Sequence, residues 1–160
     1  MLRIRPLALA LLCLALPSVP SAGAQEPPVL PGAPELAGRL GWTFDEALAA
    51  LGPPARMFPY RGAEAGEDNV VFYYADHSYL FWFRDRVWQV RVDARREGAA
   101  APSLSMGMDR EAVRAAWGDP LDPGADAWTY VLPDRGYPVR ARLYFDDGVL
   151  SDLYVYRSDW

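Results

Sequence analysis

Gly41 to Pro54 reads GWTFDEALAALGPP, and Gly107 to Pro120 reads GMDREAVRAAWGDP. Glycine, an Ala-Ala pair, a second glycine and a proline recur in register. A chain that writes one phrase twice is constrained to build two like units. In the first copy Thr43 has the side chain of a helix N-cap, and Glu46 three residues on completes a capping box. Phe44, Ala47, Leu48 and Leu51 follow at helical spacing and mark one buried face. Gly52 permits a left-handed cap, and Pro53-Pro54 forbids continuation. The second copy keeps this grammar, with Asp109 as N-cap. Met108 can pack on Val113, Ala116 and Trp117 extend the stripe, and Gly118 and Pro120 end it.

Both helices are short and need a sheet to lie on. Strands are expected over Val70–Tyr74, Tyr79–Phe83 and Val87–Val92, where aromatic and β-branched residues concentrate. In the second unit they are expected over Trp128–Leu132, Val139–Phe145 and Val149–Tyr156, with Asp147-Gly148 as a two-residue hairpin turn. The expected fold class is therefore α+β. Two tandem helix-then-three-strand repeats, 40–93 and 104–160 joined by a linker 94–103, form one antiparallel sheet with the helices on one face. One such unit alone would bury little apolar area, so the two are expected to share a core.

The N-terminus reads differently. Arg3 and Arg5 precede an apolar run from Leu7 to Leu16, and Ala22-Gly23-Ala24 offers a small-residue cleavage site. This is the three-part pattern of a secretory signal peptide, expected over 1–24. The run is too short to span a bilayer. Residues 25–39, with four prolines, read as an extended leader. Cys13 is the only cysteine. Leu12 stands where lipidation needs a small residue, so the mature chain is expected to carry neither a cysteine nor a lipid anchor. The expected location is periplasmic or secreted, with no transmembrane segment after cleavage.

Charge argues against nucleic acid. Against 21 acidic residues there are 16 basic ones, all arginine, for a net charge of −5. Removing Arg3 and Arg5 makes the balance more acidic, and a phosphate backbone is repelled on average. Without lysine there is no Schiff-base chemistry.

The second copy, GMDREAVRAAWGDP…WTYVLPDRGYPVRARLYFDDGVL, resembles the small envelope lipoproteins called SmpA, OmlA or BamE. The matching positions are Gly107-Met108, Gly118, Pro120, Trp128, Tyr130, Phe145 and Gly148-Val149. Two such units in tandem are similar in plan to the secreted β-lactamase inhibitory protein, a BLIP-like fold. The lipoproteins carry a lipidated cysteine and the inhibitory protein carries disulfides, both unlike this chain. The resemblance implies a non-enzymatic envelope protein, with a role in outer-membrane assembly or maintenance.

A search for chemistry is thin. His77, the only histidine, stands in Asp76-His77-Ser78, a hairpin-tip sequence whose Asp and Ser suit a turn; relays are assembled from separate segments. Asp119, Asp122 and Asp126 lack the alternate-position spacing of a calcium loop. Metal sites of Cys/His type need more than one histidine. Neither a phosphate-cradling Gly-Lys motif nor a Gly-x-Ser-x-Gly elbow occurs. No catalytic, cofactor or metal site is expected.

The face of the sheet away from the helices is the better candidate. Val139, Ala141, Leu143 and Phe145 point one way; Arg140, Arg142 and Tyr144 point the other. Leu153 and Val155 likewise alternate with Asp152, Tyr154 and Tyr156. Tyr and Arg are enriched at protein contact sites. Trp82 has two readings, a contact residue on the open face or packing beneath other chain. The spacing of Val87-Val90-Val92 against Val149-Leu153-Val155 suggests a bulge in one copy. The expected partner is a protein bound on the open face. The alternative is an inhibitor of an extracytoplasmic enzyme such as a β-lactamase or peptidase, with the acidic loop from Arg61 to Asn69 as its plug.

Overall fold

The computed structural model describes residues 34–62 and 69–159. The signal peptide, the leader up to residue 33 and most of the Arg61–Asn69 loop lie outside them. Among the described residues no helix is long and apolar enough to cross a membrane.

Three helices form. In α1 (Pro34–Gly38), proline occupies the first position, where its missing N–H is no loss, and Glu35 sits in the first turn. In α2 (Phe44–Leu51) the Thr43 hydroxyl accepts from the Glu46 amide, and the Glu46 carboxylate accepts from the Thr43 amide at 2.7 Å. In α3 (Arg110–Trp117) the Asp109 carboxylate accepts from the Ala112 amide at 2.8 Å. Gly52 and Gly118, at φ 72° and 75°, end the two longer helices where a β-carbon would be strained. Each is only eight residues long.

The strands are β1 (Arg56–Tyr60), β2 (Asn69–Tyr73), β3 (Ser78–Phe83), β4 (Arg86–Asp93), β5 (Ala99–Ala101), β6 (Leu104–Ser105), β7 (Asp122–Pro123), β8 (Ala127–Leu132), β9 (Val139–Asp146) and β10 (Val149–Arg157). Eight of them make one antiparallel sheet in the order β1-β2-β3-β4-β10-β9-β8-β7, while β5 and β6 pair separately.

This overturns the α+β expectation of helix-then-three-strand repeats. The architecture is mostly one large eight-stranded sheet with three small helices. The helix signals are real but stop after two turns. Segments that read as loops instead add strands at both edges. Arg56–Tyr60 contains Pro59, and proline is tolerated on an edge strand, which is where β1 lies. The short β7, which contains Pro123, closes the other edge.

The two halves meet where β4 pairs with β10, Val92 opposite Leu153 and Val90 opposite Val155. These four side chains are fully buried. They join Leu36, Ala47, Val113 and Trp117 of the helical layer in one core. The Tyr130 hydroxyl donates to the Gly118 carbonyl at 3.1 Å, and burial pushes its pKa up to about 12.

A bulge was expected in one copy; the structure has one in each. Phe81 lies opposite Gln89 and Trp82 opposite Val87, so Trp88 is the extra residue of β4. On β10 Ser151 is extra, between Leu150 and Asp152. Val87 and Val90 can then both face the core, as can Leu150 and Leu153, despite a three-residue step. The inward residue of β10 is Leu150; Val149 is exposed. Replacing Leu153 by Ala should cost about 3 kcal/mol, the usual range for a buried leucine. Urea unfolding should show a single transition for both halves, whereas two separated transitions would show that the seam does not couple them.

Candidate functional site

The face opposite the helices carries a row that crosses six strands. Register places Arg142 (β9) beside Tyr154 (β10), Tyr154 beside Arg91 (β4), Arg91 beside Tyr79 (β3), Tyr79 beside Tyr73 (β2) and Tyr73 beside Arg56 (β1). Neighbours in a sheet point the same way, so these six side chains lie side by side on one face. At roughly 4.8 Å per strand the row is about 24 Å long.

The row is held by ring–cation contacts. The Arg56 guanidinium lies 4.8 Å from the Tyr73 ring centre, and that of Arg91 lies 4.9 Å from Tyr79 and 5.5 Å from Tyr154. Arg142 lies 5.6 Å from the Tyr156 ring. Contacts of this kind stabilise by about 0.5–1 kcal/mol each at exposed sites. Val71, Tyr73, Tyr79 and Phe81 form a second small core here, packed by Trp88 and Tyr154. Phe58 and Tyr60 meet Tyr79 and Phe81 edge-on, at 6.5 and 5.5 Å. Phe58 and Tyr60 remain 41% and 42% exposed, a large apolar area for an edge strand.

Charge is fixed at two points. Arg91 donates to Asp152 at 2.6 Å. Burial opposes the Arg91 charge, yet the bond to Asp152 and the neighbouring Tyr154 hold its pKa above the usual value. The buried Asp93 accepts from the Tyr79 hydroxyl at 2.7 Å and from Arg95 at 2.6 Å. Burial alone would raise the Asp93 pKa, but the bonds from Arg95 and Tyr79 outweigh it and hold the carboxyl far below the usual range. These pairs line an open groove of about 730 Å³ between β4, β10 and β9, with Asp126, Asp146 and Tyr144 also on its walls.

The six second-copy residues expected on this face, Arg140, Arg142, Tyr144, Asp152, Tyr154 and Tyr156, share it by register and alternate with fully buried neighbours. Trp82 does not. It is 2% exposed on the helical side, stacked on Phe44 at 4.1 Å and packed on Phe72. It has the same strand parity as Leu80, and α2 covers that face, so Trp82 belongs to the core rather than to a contact surface. Arg91, Tyr73, Tyr79 and Phe58 went unrecognised. The signal for Arg91 was present, since it stands between the inward Val90 and Val92.

His77 sits at the β2–β3 hairpin with φ 62°. The Tyr73 hydroxyl and Asp93 approach it at 3.2 and 3.5 Å, both at Nδ1. A relay needs the orienting carboxylate and the reacting group on opposite ring nitrogens, so this geometry passes no proton between them. Asp76 accepts from the Ser78 amide and hydroxyl, as a turn residue does. The candidate plug loop falls largely in residues 63–68, outside those described.

No family model, curated protein or solved structure was found to match the chain.

The Asp93 cluster gives a pH prediction. A carboxyl whose folded pKa is depressed contributes stability above its unfolded value, near 3.9, and loses it as pH falls toward the folded value. Asp93→Asn should cost about 2 kcal/mol near pH 7, and the gap to the native chain should narrow below about pH 4. Urea titrations at several pH values measure it; a gap independent of pH would rule out a charged Asp93.

Proposed function

We propose that this is a non-enzymatic, exported envelope protein that docks a protein partner on the helix-free face of its sheet. The observation that carries the reading is the arginine–tyrosine row, flanked by the exposed rings of Phe58 and Tyr60. Tyrosine and arginine combine apolar area with directional hydrogen bonding, and they dominate the energetics of contact surfaces. The rings and guanidiniums hold each other in place, so little side-chain freedom is lost on binding. Export to the periplasm or beyond is inferred from the N-terminal pattern, and a part in outer-membrane assembly or maintenance from the resemblance to the envelope lipoproteins.

Tyr144 and Tyr156 flank the row and are half-buried, so they can be truncated with little loss of core. With the mature protein immobilised, envelope extract should yield a retained partner. The double variant Tyr144→Ala, Tyr156→Ala should retain about tenfold less or lower still, given the usual cost of losing interface aromatics. Its unfolding should stay cooperative. Undiminished capture by the folded variant would count against the face.

A further inference from the structure

The charges on this face are sorted, and the sorting describes an occupant. Arg91 is neutralised by Asp152, and Arg95 by Asp93. Arg56, Arg140 and Arg142 have no carboxylate partner among the described residues. Arg56 lies on the Tyr73 ring, Arg140 donates to the Val139 carbonyl, and Arg142 lies over the Tyr156 ring. The carboxylates of this face, Asp93, Asp146 and Asp152, line the groove. The chain as a whole is acidic, at −5, so a band of unpaired cations does not follow from composition.

We propose that the partner presents an extended acidic segment, laid across the strands, whose carboxylates engage Arg140 and Arg142 at one end and Arg56 at the other. This rests on the reading of the face as a docking surface. Guanidinium offers a planar pair of donors that matches carboxylate geometry, and stacking on tyrosine fixes its plane before binding. Arg142 and Arg56 stand five strands apart, about 24 Å, which an extended chain at about 3.3 Å per residue covers in about seven residues. A bulkier polyanion, whose charge extends beyond this band, meets the repulsion of the acidic remainder of the molecule.

The test is a titration of the mature protein, isotope-labelled at arginine, with a ten-residue Glu/Ser peptide and its Gln/Ser counterpart. The Nε–H resonances of Arg56, Arg140 and Arg142 should shift with the Glu/Ser peptide alone. Arg56→Gln with Arg142→Gln should weaken binding about tenfold or more, since each removes one charge-assisted contact. Both positions are exposed, so the variant should stay folded and unfold cooperatively, losing only the two ring contacts. Equal binding of the Gln/Ser peptide would overturn the acidic assignment while leaving the docking face standing. So would shifts spread over arginines elsewhere, or arginine-dependent binding of phosphatidylglycerol vesicles with no binding of the Glu/Ser peptide. Loss of extract capture in the Tyr144/Tyr156 variant, measured separately, tells failure of the charge assignment from failure of the face.

Discussion

The antiparallel pairing of β4 with β10 is the contact on which the rest depends. It joins the last strand of each half, so residues distant in sequence become cross-strand neighbours. On one side it buries Val90, Val92, Leu153 and Val155 in the core shared with the helices. On the other it sets Arg91 between Tyr79 and Tyr154. Without the seam, each half would hold four strands, a marginal core and a fragment of the arginine–tyrosine row.

The helix-free face is neither a bare apolar surface nor a second buried layer. Tyr73, Tyr79 and Phe81 are almost wholly shielded, by strand side chains together with His77 and Arg95 of the loops. Arginine does part of the shielding, the Arg56 and Arg91 guanidiniums lying over the Tyr73 and Tyr79 rings, while Tyr60 and Tyr154 pack on Phe81. On the proposed reading, the cations that cover this aromatic surface would also serve as contact groups. Asp152 and Asp93 each hold one of these cations in position.

Much of this was legible in the sequence, unevenly. Helix boundaries followed from caps, because Thr43, Glu46, Asp109 and the two glycines act locally. The second half of the face was readable because β9 alternates strictly, Val139 to Phe145 inward and Arg140 to Tyr144 outward. The first half was not, because β3 is buried on both faces and its parity cannot be told from hydrophobicity. That is why Trp82 stayed undecided. The balance of helix and sheet was misjudged because edge strands such as β1 owe their existence to pairing with β2 rather than to local propensity. Bulges at Trp88 and Ser151 hid the common spacing of the two long strands.

The register of the seam is the most direct point at which this account can fail. Cross-strand nuclear Overhauser contacts between the backbones of β4 and β10 read it without mutation. The expected pattern pairs Arg91 with Tyr154 and Gln89 with Tyr156. A pattern shifted by one residue, with Arg91 opposite Leu153 or Val155, would turn the row to the wrong face and contradict the account.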